Sequence, residues 1–179
     1  RKKSDDEYVV ILKNLFDLNG FPYSEITGSI IGSVVPGLTE VISRAVWKLT
    51  AISSLVVGAG IKTSLDIKTD RPGEVGSDIV ANSVAAIKIS SSPSVVVDFG
   101  TATTIVGINK KQQLSDVFIL PGIVSSLNAL IQDAAEIPCV PLFPPKYISG
   151  KNTGTSVNTG IVYGNAFAVD GFIDWFRKE

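Results

Sequence analysis

Residues 95–104 read VVVDFGTATT: an apolar, β-branched run ends on Asp98, and Gly100, Thr101, Thr103 and Thr104 follow at once. Small residues let an anion approach the main chain closely, a concave run of amides makes an anion-binding nest, and hydroxyls add donors. A carboxylate at the same point would repel a phosphate unless a cation lay between them, which makes Asp98 a candidate ligand for a metal or monovalent ion. The same residues also suit an ordinary hairpin turn flanked by threonines. A second stretch, GEVGSDIVAN at 73–82, brings Asp78 behind Gly76 and Ser77 to the entrance of a helix. There a carboxylate could orient a substrate hydroxyl and accept its proton during phosphoryl transfer, or Ser77 or Asp78 could simply cap the helix. A third, GKNT at 150–153, precedes a long apolar run. Asn152 or Thr153 could cap that helix, and its first amides could hold a polar substrate. Gly150-Lys151 is followed by Asn152, so the P-loop pattern GxxxxGK[ST] is absent.

Composition narrows the chemistry further. A chain of 179 residues, 45% of them hydrophobic, buries roughly 70% of its unfolded surface as one large or two small domains. The 16 basic and 17 acidic residues leave a net charge of −1 with no basic stripe, so no nucleic-acid partner is expected. The opening RKK reads as a solvated chain end. Apolar stretches such as LVVGAGI at 55–61 fall far short of the ~20 residues of a membrane span, and no signal-peptide pattern opens the chain. A single cysteine, Cys139, has no internal disulfide partner and fits a reducing, cytoplasmic location. The absence of histidine removes the commonest general base and the commonest zinc ligand, leaving carboxylates, hydroxyls, backbone amides and bound ions.

These groups need elements to position them. Ser4 and Glu7 have capping-box spacing, and Tyr8, Ile11, Leu12, Leu15 and Phe16 recur at helical intervals up to Asn19-Gly20. Residues 26–35 read as a strand ended by Pro36, 38–49 as a helix, and 53–58 as a short strand closed by GAG. The alternation predicts an α/β fold with a largely parallel sheet. Residues 61–76 read as a loop and 77–89 as a helix, with a domain boundary after it that divides the chain into 1–92 and 93–179. The strand at 95–98 is followed by a hairpin around NKKQQ, a helix opened by Pro121-Gly122, and a proline-rich connection at 137–145. Tyr147 and Ile148 read as a short strand, and 161–176 as a long buried helix.

Taken together, the three chemical stretches resemble the type III pantothenate kinases. A glycine-small-Asp helix entrance, a D-F-G-T-A-T-T strand end, a P-G…S…A-L helix and a G-x-N-T…G-I-V-Y-G run occur in order at 75–82, 98–104, 121–130 and 150–164. SVVPGLTE at 33–40 and GIKTSLDIK at 60–68 extend the likeness over nearly the whole chain. The resemblance implies two actin-like, ribonuclease H-like halves with mixed sheets flanked by helices. It implies ATP-dependent phosphorylation of pantothenate to 4′-phosphopantothenate, the first step toward coenzyme A, in a homodimer. Asp78 would be the catalytic base, Gly76, Ser77, Asp78, Ile79 and Thr153 would line the pantothenate pocket, and Gly100, Thr101 and Thr103 would contact ATP. Asp98 would bind potassium or ammonium, and magnesium would accompany ATP.

The chain departs from the family pattern at Ile79, where arginine is usual, at Thr69, where tyrosine is usual, and at Asp116-Val117, where a glycine pair is common. An isoleucine cannot offer the forked donor suited to the carboxylate of pantothenate. The family's opening phosphate loop, Asp-x-Gly-Asn-Thr, and a later glycine-rich nucleotide segment have no counterpart in these 179 residues. The expectation is therefore a fragment lacking the first strands and the C-terminal end, with an incomplete ATP site. Two rivals stand beside the kinase: a noncatalytic accessory or regulatory relative, and a kinase of the same superfold acting on another small hydroxylated substrate. The kinase reading needs positions 78 and 98 to serve one cleft.

Overall fold

The computed structural model describes residues 2–35, 37–58, 61–90, 92–134 and 136–178. Pro36 and the Ala59-Gly60 part of the expected turn lie outside them. The chain forms two compact units, Arg1–Ser64 with Asp70–Val84, and Leu65–Thr69 with Ala85–Glu179.

In the first unit, helix α1 (Asp5–Leu18) starts where the Ser4 hydroxyl accepts the Glu7 N–H at 3.2 Å and the Glu7 carboxylate accepts the Ser4 N–H at 2.7 Å. Both orphan donors are satisfied, and the acids of the first turn complement the helix dipole. Helix α2 (Leu38–Thr50) packs beside α1, with Lys48 reaching Asp6 at 2.6 Å and Asp5 at 3.2 Å, and Arg44 reaching Asp5 at 3.3 Å. Strands β1 (Ile30–Gly32) and β2 (Leu55–Val57) pair in parallel. β1 is shorter than expected because the Ser33 hydroxyl accepts the Val35 N–H at 3.1 Å, a local turn that takes this amide out of any ladder. Helix α3 (Ser77–Ile89) begins in this unit and buries Ile79 and Val80.

The second unit holds a four-stranded sheet in the order β3-β6-β5-β4. β4 (Ser94–Phe99), β5 (Ala102–Ile108) and β6 (Gln113–Pro121) form an antiparallel meander, and β3 (Asp66–Ile67) runs parallel to β6. The α/β class and the mixed sheet that the resemblance implied are present: β1 and β2 are parallel, but the four-stranded sheet is not largely parallel, as the strand–helix alternation alone suggested, because tight turns return the chain directly alongside itself. At the NKKQQ turn the Asn109 side-chain oxygen accepts the N–H groups of Lys111 and Gln113 at 2.9 and 3.1 Å, an Asx turn that closes the hairpin. The stretch read as loop at 61–76 contains β3, secured by Lys68 N–H to the Leu114 carbonyl at 2.8 Å and by the Gln113 amide to Asp66 at 2.7 Å.

Ile105, Val106, Ile108 and Leu114 form the core of this sheet, each at most 2% exposed. Helix α4 (Ile123–Asp133) adds Leu127, and helix α5 (Thr153–Phe176) adds Val157. Phe118 of β6 meets Phe172 of α5 at 4.4 Å between ring centroids and Trp175 edge-on at 5.5 Å, which seats the far end of α5 on the sheet. α5 begins directly behind the Asn152 cap, one of the two caps the sequence offered, and its buried residues are Val157, Asn158 and Thr159; the run at 161–176, expected to be buried, is half-buried to exposed, with Phe167 more than half exposed. Tyr147 and Ile148 form no strand; both are exposed in an irregular segment with no ladder to join.

Candidate active site

At the entrance of α3, the Gly76 carbonyl accepts the Val80 N–H at 3.0 Å and so opens the helix. Asp78, one residue into the first turn, is exposed, and its Oδ1 accepts the N–H of Ile79 at 2.9 Å. A Cβ on Gly76 would overlap that same oxygen. The carboxylate is thus folded back over Gly76, where an added side chain would displace it. Ser77 does not cap the helix: it is 7% exposed, lies against Gly32 of β1, and its hydroxyl has no hydrogen-bond partner among the described residues. Ile79, at 6% exposed, anchors the turn in the core of the first unit, so its side chain offers a substrate only a buried apolar wall.

In the second unit, Asp98 sits half-buried near the end of β4, directly opposite Thr104 across the antiparallel ladder. Facing residues share a side of the sheet, so carboxylate and hydroxyl lie on one face. Thr103 pairs with Phe99 on the other face, is 1% exposed, and has a buried hydroxyl without a partner among the described residues. Thr104 is therefore the threonine that accompanies Asp98, a residue that alternation along β5 identifies only once the register is known. The intervening turn is clamped onto the start of α4. The Thr101 carbonyl accepts the Gly122 N–H at 3.0 Å and the Ser125 hydroxyl at 2.8 Å, and a Cβ on Gly122 would overlap the carbonyls of Gly100 and Thr101. The Gly100 N–H is already bonded to the Ala102 carbonyl at 3.0 Å, so the exposed Thr101 hydroxyl is the donor this turn keeps available.

At the start of α5, Asn152 is the cap: its side chain accepts the Thr155 N–H at 2.9 Å, and the Thr155 hydroxyl accepts the Asn152 N–H at 3.1 Å. Thr153 is left exposed at the first helical position, where its amide and that of Gly154 have no acceptor within the helix. It lines a cavity of about 700 Å³ together with Gly150, Lys151, Ser156, Ile137 and Ile161. The sequence-derived residues divide between the units: Gly76, Ser77, Asp78 and Ile79 belong to the first, and to the second belong Asp98, Gly100 and Thr101 at the turn, Thr153 at the α5 cavity and Thr103, withdrawn into the sheet. No cluster of three or more His, Cys, Asp or Glu able to hold a metal occurs among the described residues. No helix among them is long and apolar enough to cross a membrane.

Residues 1–175 match the type III pantothenate kinase family. The chain is 42% identical over its whole length to the type III pantothenate kinase of Halalkalibacterium halodurans, covering 70% of that protein, and 44% identical to that of Geobacillus kaustophilus, covering 69%. A solved protein of Campylobacter jejuni, assigned to the Baf family of transcriptional activators, superposes with a TM-score of 0.54 at 18% identity, over 83% of this chain and 66% of that one, and so shares the fold. Matched along its length by that family and by relatives well above the identity at which chance likeness is possible, the chain belongs to the type III pantothenate kinases.

Proposed function

We propose that the protein transfers the γ-phosphoryl group of ATP to the primary hydroxyl of pantothenate, a step of coenzyme A biosynthesis, with Asp78 as the base. The observation that carries this reading is the exposed Asp78 carboxylate, folded over Gly76 at a helix entrance in a chain of this family. Phosphoryl transfer needs little covalent help from a protein; positioning and charge neutralisation supply most of the acceleration. Asp78 orients the hydroxyl and accepts its proton as the new O–P bond forms. Gly76, Ser77 and Ile79 shape the turn that carries it, and Thr153 offers a hydroxyl and an amide to pantothenate. Thr101 donates to ATP phosphate.

The oxygen donors of Asp98 and Thr104 fit a hard monovalent cation, potassium or ammonium, better than a transition metal. That cation, with the magnesium carried by ATP, supplies positive charge next to the phosphates when bound. The reading includes two actin-like halves, the second opened by the β4 meander after residue 92, and a homodimer in the cytoplasm, where Cys139 stays reduced. Likeness to the Campylobacter jejuni protein, at 18% identity, bears on fold alone and lends the noncatalytic rival no weight. The full-length protein is expected to release ADP from ATP only when pantothenate is present, and faster with potassium than with sodium. Tight pantothenate binding without ADP release in a coupled assay would overturn the reading.

A further inference from the structure

We infer that Asn158 is a positioning residue for the substrate cavity at the start of α5, holding the proline-rich strap at 137–145 against the first turn that carries Thr153; this rests on the kinase reading above. Asn158 lies in the second turn of α5 and is wholly buried, at 0% exposed. A buried amide is costly unless its donors and acceptor are used. Here they are: its Oδ1 accepts the Phe143 N–H at 2.9 Å, and its Nδ2 donates to the carbonyls of Pro141 at 3.1 Å and Gly154 at 3.2 Å. One side chain therefore joins the strap at two points to the helix turn holding Thr153.

The strap depends on such a tether. Pro138, Pro141, Pro144 and Pro145 have no N–H to give, and the segment is neither helix nor strand. Its Ile137 nonetheless lines the cavity together with Thr153, Ser156 and Ile161, and its buried Val140 lies 3.9 Å from where a Cβ on Gly154 would stand. The width of the cavity is thus set by how closely the strap is drawn onto α5, and Asn158 draws it. A carboxylate at 158 keeps the acceptor for Phe143 but faces the Pro141 and Gly154 carbonyls with no proton to donate. Burial raises the pKa of such a carboxyl, so lowering the pH restores a donor.

The test uses the full-length protein, with Asn158→Asp and Asn158→Leu compared to wild type in steady-state kinetics and in hydrogen exchange of the Cys139, Val140, Leu142 and Phe143 amides. For Asn158→Asp at pH 8 we expect the KM for pantothenate to rise roughly tenfold, with kcat and the KM for ATP within about twofold. The ratio of variant to wild-type KM should fall toward unity as the pH is lowered, and the Phe143 amide should exchange faster. Asn158→Leu should show the KM increase without the pH recovery; if it fails to fold, the pH profile of Asn158→Asp still decides. A lowered melting temperature with unchanged pantothenate KM means a structural role only and overturns the inference while leaving the kinase reading intact. A wild-type protein that does not phosphorylate pantothenate overturns both.

Discussion

The two carboxylates proposed for the chemistry are held in opposite ways. Asp78 is exposed, stands at the start of a helix, and is fixed by contacts within two residues of itself: the Ile79 amide and the empty space over Gly76. Asp98 is half-buried within a ladder, faces Thr104 from the neighbouring strand, and is followed by a turn bolted to α4 through Gly122 and Ser125. Their surroundings differ in the same sense. The buried apolar side chains described in the first unit are Ala45, Ile79 and Val80, whereas the second buries Ile105, Val106 and Ile108 along β5 together with Leu114 of β6. An exposed carboxylate at a helix entrance is open to an incoming hydroxyl, whereas one set in a strand ladder is held among fixed neighbours as an ion ligand must be. The difference is in keeping with the proposed roles, proton transfer at Asp78 and ion binding at Asp98.

That assignment breaks most visibly at the base. Asp78→Asn preserves shape and removes the proton acceptor, so kcat should fall at least ~100-fold with a much smaller change in pantothenate KM, and stability should hardly move because the side chain is exposed. Equal turnover of variant and wild type in the coupled assay would end the role. The two glycines sharpen the contrast. Alanine at 76 meets only the tip of a flexible carboxylate, which can swing away; kcat should drop about tenfold with the melting temperature nearly unchanged. Alanine at 122 meets backbone carbonyls that cannot move alone, so urea unfolding should show a loss of about 1–3 kcal/mol. A Gly76→Ala protein that is unstable but fully active would reverse the comparison.

The threonines of β5 give a subtler test. Thr104→Val should raise the potassium concentration needed for half-maximal rate by about threefold to tenfold, as one oxygen donor is lost beside Asp98. Thr103→Val replaces a buried hydroxyl that has no partner among the described residues and should leave activity unchanged and stability equal or slightly higher. Potassium titrations of both variants check the face assignment directly, and the reverse pattern would show that Thr103 reaches the ion.

What could be read from the chain alone follows the range of the interactions. The Ser4–Glu7 box, the Gly76–Asp78 entrance, the Asn109 turn and the Asn152 cap are all made by residues a few positions apart, so type and spacing sufficed. β3 exists because β6 offers its edge to Asp66 and Ile67, and Tyr147-Ile148, with stronger strand character, finds no such edge. Local propensity cannot distinguish those cases. The presence of hydroxyls after Asp98 was legible, but which threonine joins it depends on the register across the Gly100–Ala102 turn. Nothing in the sequence singles out Asn158, which precedes the apolar run at 161–176; its three partners lie on a strap and on its own preceding turn, and only the folded chain brings them together.

The smallest effect is expected far from either carboxylate, on the α1–α2 pair. The hydrogen bond from Lys48 holds Asp5 below the ordinary aspartate value of 3.8, with Arg44 adding to it, while Asp6 and then Asp5 hold Lys48 above its ordinary value. A depressed carboxyl contributes stability that is present above its unfolded pKa and is lost as the pH falls through the folded one; the raised lysine contributes stability that is lost as the pH rises through its own folded value. The Asp5→Asn protein should therefore melt slightly below wild type at neutral pH, with the gap closing below the ordinary carboxylate range and again under high salt, because these groups face solvent. Turnover should be unaffected at every pH where both proteins are folded. A gap that persisted at pH 2, or a change in kcat, would mean that Asp5 acts through the α1 cap or the site rather than through its charge.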